Sequence, residues 1–229
     1  MGRVPTNSER LSDIRATPKL LVIASEGERA EPQYFKTLGE WSDANVVLPL
    51  VLKRSGKEKG HSDPEHVFNQ LKAFIDSEQW RPEDEFWLVV DTDSWENLEE
   101  ISAQCNDAGY SLAVTNPCFE FWLLLHLVDP SDLDEALKAQ ILENPTSENK
   151  KHTFTSQFHG KKMKEITGKT FSKSRINAPT LMPYVADAIQ RAKELTGSDV
   201  IPSGLGSGVY RIVEQVQLLP PLETPNSPQ

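Results

Sequence analysis

Residues 86–93 read Phe-Trp-Leu-Val-Val-Asp-Thr-Asp, and few folds accommodate that stretch. Five consecutive apolar residues, two of them β-branched, describe a short strand buried on both faces, as in a parallel sheet covered by helices. The run ends in two carboxylates at i and i+2, Asp91 and Asp93, which an extended backbone directs to one side. The carboxyl edge of such a strand is where open α/β sheets receive ligands. Two like charges at that spacing require a positive partner, and a hard divalent cation supplies one. A structural reading stays open beside it, in which Asp91 closes the strand and Asp93 or Ser94 caps the next helix.

The rest of the chain alternates short apolar runs with helical periodicity. Residues 18–25 predict a first strand, and Glu26-Gly27-Glu28 a tight strand-to-helix turn. Pro32 suits a first helical position, with Tyr34, Phe35, Leu38 and Trp41 at helical spacing behind it. A dinucleotide-binding fold would place Gly-x-Gly-x-x-Gly at this turn. Glu-Gly-Glu instead puts carboxylates there, which would repel bare phosphate. Residues 44–52 predict a second strand, at a sheet edge because Pro49 interrupts it. Lys53, Arg54, Lys57 and Lys59 follow in a loop leaving the same sheet edge as Glu26 and Asp91. That loop either holds a phosphate backbone or is simply solvated. Asp63-Pro64 opens a helix with Val67, Leu71, Phe74 and Ile75 inward, and another spans about residues 95–107 before Gly109. Residues 110–115 predict a fourth strand. Asn116-Pro117 then predicts a helix start, leading into a nearly all-apolar helix over 118–128 in which Glu120 and His126 are the ionisable members.

Past residue 128 the pattern predicts a helix over 130–142, one short helix with flexible flanks within 149–175, a helix over 179–195 and a last one over 209–219. The Gly204-Leu-Gly-Ser-Gly208 run reads as a loop able to cradle phosphate, without the Gly-Lys-Ser/Thr ending of a nucleotide-binding loop. The expected organisation is a disordered 1–16, an α/β domain over 17–128, a helical extension over 129–219 and a disordered tail over 220–229. A net charge of −10 argues against coating of nucleic acid by the whole surface. Residues 150–175 nevertheless hold eight Lys or Arg against one acid, Glu165, and Lys161 and Lys162 are candidates for nucleic-acid contact. Cys105 and Cys118 form no Cys-x-x-Cys pair, which argues against a thiolate zinc site, and two cysteines imply no disulfide framework. With no apolar run near the roughly 20 residues of a membrane span and no apolar signal core at the start, the expectation is a cytoplasmic protein without membrane contact. A homo-oligomer is compatible with the sequence, which does not specify one.

In the strand order 2-1-3-4 the first and third strands are neighbours, so Glu26, Asp91 and Asp93 would share one patch. Three oxygen donors without cysteine or paired histidine select Mg²⁺ or Mn²⁺. The matching chemistry is phosphoryl or phosphodiester transfer, with the metal orienting a water and lowering its pKa. Glu26, if not a ligand, would serve as general acid or base. Glu120, in the first turn of its helix, is either a further carboxylate of the site or a satisfied structural one.

Glu-Gly after a first strand with Asp-x-Asp after a later one resembles the TOPRIM domain of primases, topoisomerases and overcoming-lysogenization-defect nucleases. A longer match is more specific. Glu26-Gly-Glu-Arg-Ala-Glu31-Pro-Gln-Tyr-Phe35, Val90-Asp-Thr-Asp93 and Asn116-Pro-Cys-Phe-Glu-Phe-Trp-Leu-Leu-Leu-His126 are similar to the RloB family of TOPRIM-like proteins. The resemblance implies a TOPRIM/Rossmann-like α/β fold, a mostly parallel four-stranded sheet flanked by helices with a C-terminal helical extension. It further implies a Mg²⁺- or Mn²⁺-dependent nuclease of bacterial anti-phage defence, acting on nucleic acid beside an ATPase partner. Glu26, Asp91 and Asp93 carry over as metal and catalytic acids. Glu120 joins them as a catalytic candidate, and Asn116 as a supporting residue that also counts among the nucleic-acid contacts. Family members commonly have Thr where this chain has Ala30, a departure that leaves the acids untouched. Two other classes use the same features: an inactive TOPRIM-like scaffold engaging an ATPase, and a phosphatase or small-nucleotide hydrolase built on the same acids.

Overall fold

The computed structural model describes residues 19–42, 47–50, 64–92, 97–148 and 152–216. The four apolar runs become the parallel strands β1 (Leu21–Ser25), β2 (Val47–Leu50), β3 (Glu85–Asp91) and β4 (Ser111–Asn116). They lie in the order β2-β1-β3-β4, and a two-residue fifth strand, β5 (Gly206–Ser207), joins antiparallel to β4. Between them run α1 (Ala30–Glu40), α2 (Pro64–Asp76), α3 (Leu98–Ala108) and, after β4, α4 (Phe119–Leu125). This is the Rossmann-like, TOPRIM-type α/β arrangement, with Pro49 on an edge strand where its missing N–H is tolerated.

Period-two alternation divides the core between two layers. Leu21, Ile23, Trp87, Val89 and Ala113 face Tyr34 and Phe35 of α1 and the whole of α4. Val22, Ala24, Leu88, Val90, Leu112 and Val114 face Val67 and Leu71 of α2 and Ile101 and Cys105 of α3. Gly109 ends α3 at φ 74°, a left-handed residue that glycine adopts without penalty. The connections after β1 and β3 leave toward opposite ends of the sheet, so the chain reverses its winding between these two strands. A crevice at their carboxyl edge follows from topology alone.

The C-terminal half adds α5 (Glu135–Glu143), α6 (Phe154–Thr167), α7 (Val185–Thr196) and α8 (Tyr210–Val213). Ile141, Met163, Ala188 and Ile212 belong to the same buried cluster as α4, which explains why that helix is apolar on every side. Several boundaries differ from the sequence expectation. The basic stretch forms a full 14-residue helix, started by Thr153, whose Oγ1 accepts from Ser156 N, and ended by Gly168 at φ 70°. Residues 130–142 divide into a 3-10 turn (Pro130–Asp132) and α5, because Asp134 caps the latter by accepting from Leu137 N at 2.7 Å. Residues 179–184 form two 3-10 turns, Ala178–Thr180 and Met182–Tyr184, each with proline near its start, so α7 begins only at Val185. The glycine run is no phosphate cradle. A Cβ on Gly206 would press on Pro202 and Thr196, and one on Gly208 on Arg211 and the β4 backbone, so these glycines let β5 pack tightly against β4. The expectations for 1–16, 53–59, Asp93 and 220–229 fall outside the described residues. No helix among the described residues is long and apolar enough to cross a membrane.

Candidate metal and phosphate site

Glu26 follows the last residue of β1 and Asp91 is the last residue of β3, at the reversal in winding. Glu26 N–H donates to Val89 O at 3.0 Å, which extends the β1–β3 ladder one residue past the strand. Its side chain then meets the neighbouring strand end, with Asp91 N–H donating to Glu26 Oε2 at 3.3 Å. The two acids line a cavity of about 320 Å³ together with Glu28, Arg29, Glu120 and Lys173. Its remaining walls include Gly27, Glu31 and Phe119.

Gly27 is in the turn because of Glu31. A Cβ there would lie well under 3 Å from the Glu31 carboxyl, which folds back from the first turn of α1 against the glycine. Glu31 is only 7% exposed. Burial pushes its carboxyl up from 4.5 to about 7; the negative charge of Glu120 adds to this, while backbone amides and Lys173 act against it. The sequence motif Glu-Gly-x-x-x-Glu is thus one packed unit.

Glu120, with a side chain 5% exposed, is paired with Lys173, whose Nζ lies 2.9 Å from Glu120 Oε1 and whose side chain is 51% exposed. Burial works against the charge on Lys173, yet Glu120 and, more distantly, Asp91 raise its pKa above the ordinary value. Cys118 lies below Glu120, its thiol held well above the usual range by burial and by the same acids. It is the N-cap position of α4, without a side-chain capping bond.

Asn116 has another place than the sequence suggested. It is the last residue of β4 and not a helix cap, because it pairs with Gly206. The peptide to Pro117 is cis. Its Oδ1 accepts from Thr92 Oγ1–H at 2.9 Å, and its Nδ2 donates to Pro202 O at 2.9 Å. Both ends of the amide make internal hydrogen bonds, so Asn116 fixes Thr92, which stands between the two aspartates in the sequence. Thr92 N–H also donates to Thr115 O at 3.0 Å. Lys161 and Lys162 of α6 do not line this cavity, and Lys162 pairs with Glu165 at 3.1 Å.

Sequence reasoning missed Lys173, Arg29 and Glu31 as parts of this pocket. Glu31 was within the motif, five positions from Glu26. Lys173 was hidden in a charged run, where only the tertiary fold distinguishes it from its neighbours. A larger cleft, about 550 Å³, lies between α5 and α7, but its central Arg191 is occupied by Leu125 O at 2.7 Å and by Asp129.

The donors present are hard oxygens. Among the described residues no group of three or more His, Cys, Asp or Glu is close enough to hold a metal ion unaided. Mg²⁺ is commonly held by one or two carboxylates, with waters and substrate phosphates completing the shell. Glu26 and Asp91 meet that requirement.

Fold and site together describe a TOPRIM-type α/β protein with an acidic pocket at the switch between its two central strands. The model of the family described as RloB-like protein matches residues 21–216, most of the chain, and the protein belongs to that family. No curated protein matches it, and no solved structure does.

Proposed function

We propose that this protein is a metal-dependent nuclease hydrolysing phosphodiester bonds in DNA or RNA. One observation carries the reading: Glu26 and Asp91, 65 positions apart in sequence, meet with Asp91 N–H on Glu26 Oε2. Glu26 and Asp91 would hold Mg²⁺ or Mn²⁺, with Asp93 as the third carboxylate of the proposal. A bound ion would polarise the phosphodiester and make a coordinated water nucleophilic near neutral pH.

The surrounding residues supply the rest. Lys173, steadied by Glu120, presents an ammonium group where negative charge builds on a phosphoryl oxygen. Asn116, through Thr92, keeps the end of β3 in place. Glu31, its carboxyl pushed up by burial, lines the same pocket as Glu26. A role in anti-phage defence beside an ATPase belongs to the same reading and rests on the family likeness.

The test is cleavage of a panel of single- and double-stranded DNA and transfer RNA with Mn²⁺, with and without any ATPase partner. Wild type should cleave at least one substrate, and Asp91→Asn/Asp93→Asn should cleave none. Mn²⁺ should also raise the melting temperature of wild type and leave that of the double variant unchanged. Cleavage persisting in the double variant would remove these acids from the chemistry. Absence of both cleavage and metal-dependent stabilisation in wild type would favour the scaffold reading.

A further inference from the structure

Helix α1 contributes to two cavities, not one. Arg29, at its N-terminus, lines the acidic pocket. Gln33, Lys36, Thr37 and Glu40 line an adjoining cavity of about 220 Å³. Positions 29, 33, 36 and 40 follow spacings of four, three and four, so they share one face of the helix. The opposite wall is also shared. Lys173 borders the acidic pocket, and Arg175, Asn177 and Ala178 border the second cavity. Lys173 and Arg175 are exposed residues of one tight turn, closed by Ser172 N–H to Arg175 O at 3.2 Å and Arg175 N–H to Ser172 O at 2.8 Å. Both cavities thus have α1 on one side and the segment 172–179 on the other, the acidic one at the Arg29 end and the second toward Glu40.

Charge changes sign from one cavity to the other. The pocket at one end carries Glu26, Glu28, Glu31, Asp91 and Glu120 against Arg29 and Lys173. The adjoining cavity carries Lys36 and Arg175 against Glu40 alone. Lys36 meets Glu40 only at 3.8 Å, with both side chains well exposed, a pairing that solvent screens almost completely. Arg175 makes no ion pair among the described residues. A cation-attracting pocket beside an anion-attracting one fits a chain of phosphates of which one is under attack and the next is held. Among the described residues Phe119, itself buried, is the only aromatic ring lining either cavity. Bases would find no stacking platform on these residues, so what they can hold is backbone. Seven residues of helix separate Arg29 from Lys36, a rise of about 10 Å, enough for neighbouring phosphates of one strand.

We propose that the two cavities form one groove, the phosphate-backbone track for a single nucleic-acid strand, with Lys36 and Arg175 holding phosphate next to the one at the acids. The inference rests on the nuclease reading above and adds where, and by what part, the substrate is gripped. It moves the grip from α6 to α1 and the turn at 172–175, and makes it independent of base sequence.

The experiment is fluorescence anisotropy of the full chain with a fluorescein-labelled single-stranded DNA of mixed sequence and its RNA counterpart, with Ca²⁺ replacing Mn²⁺ to suppress turnover. Lys36→Glu/Arg175→Glu should weaken binding by about tenfold or more at low salt, and flatten the plot of log affinity against log salt by about 1.4, the value for two lost phosphate contacts on a single strand. Lys36→Gln/Arg175→Gln should give a smaller loss in the same direction. Lys72→Glu/Lys138→Glu makes the same change in net charge away from the groove and should weaken binding far less. Wild-type affinity in the groove variants, an equal loss in the distant pair, or a greater loss in Lys161→Glu/Lys162→Glu would overturn the track. Asp91→Asn separates the two ideas, since it should not cleave, while its remaining affinity in EDTA should still fall when Lys36→Glu/Arg175→Glu is added. If wild type cleaves no substrate the nuclease reading fails whatever the affinities, and if Asp91→Asn still cleaves, Asp91 leaves the chemistry. If Asp91→Asn is inactive while Lys36→Glu/Arg175→Glu binds normally, the track alone fails.

Discussion

Gly27→Ala tests the packing that underlies the acidic turn. The backbone at Gly27 is not in the left-handed region, which among the described glycines holds only for Gly109, Gly168 and Gly197. Any penalty must therefore come from space. The new methyl would fall well under 3 Å from the Glu31 carboxyl atoms, and Glu31 is 7% exposed and cannot swing freely into solvent. Overpacking of this kind costs about 1–3 kcal/mol. For a chain of this length that corresponds to a fall in melting temperature of about 2–12 °C. Glu31→Ala removes the obstacle, so Gly27→Ala made in that background should cost less than about 0.5 kcal/mol, a coupling of at least about 0.5 kcal/mol between the two sites. Melting followed by circular dichroism in EDTA at pH 6 measures all four corners of the cycle. The pH dependence provides a second check. Burial raises the Glu31 carboxyl from 4.5 in the unfolded chain to about 7. The folded state therefore binds this proton more tightly, and its contribution is fully present below pH 4.5 and lost as pH rises through about 7. The loss is on the order of 3 kcal/mol, and Glu31→Gln should abolish it. An equal penalty for Gly27→Ala with and without the Glu31 carboxyl would refute the reasoning, since the glycine would then serve something else.

Two buried histidines give the opposite slope. His126 Nδ1–H donates to Trp122 O at 3.0 Å and its Nε2 accepts from the Tyr34 hydroxyl at 3.1 Å, which fixes a neutral ring; burial lowers it from 6.5 to about 4. His159 packs edge-on against Phe171 with neither ring nitrogen bonded among the described residues, and burial lowers it to about 3. Their depressed values mean that stability is present above pH 6.5 and lost as pH falls toward 4 and 3, by about 3–5 kcal/mol each. His159→Leu should flatten the acid limb of a stability–pH curve, and an unchanged limb would contradict the assignment. Asn116→Ala removes two partly buried hydrogen bonds and should cost about 1–3 kcal/mol. It should lower Mn²⁺-dependent turnover while leaving oligonucleotide affinity within about twofold, because it loosens the end of β3 without touching the groove; lost affinity at full turnover would reverse its role.

The central strand and the carboxylate at its end, Asp91, were legible in the sequence for a local reason. An unbroken apolar run followed by charge has few other solutions, and a strand buried on both faces must sit inside a sheet. Pro49 marked an edge strand and Gly109 a helix end on equally local grounds. Where the reading failed, local signals competed with a distant partner. Asn116-Pro117 has the composition of a helix start, yet Gly206, distant in sequence, takes Asn116 into the sheet. The glycine run looked like a phosphate loop until the crowding around Gly206 and Gly208 became visible.

By itself the sequence determined the alternation of strands and helices, the acids at the ends of β1 and β3, and their kinship with a family. Those depend on residue type and on contacts a few positions away. Only the tertiary structure decided that Glu31 closes against Gly27, that Asn116 bonds Thr92 and Pro202, and which two of many cations stand beside the acids and which two line the second cavity. Each of these is a meeting of side chains carried on separate elements, and a basic run of residues does not specify which of its members will turn toward a pocket until the helices that carry it have packed.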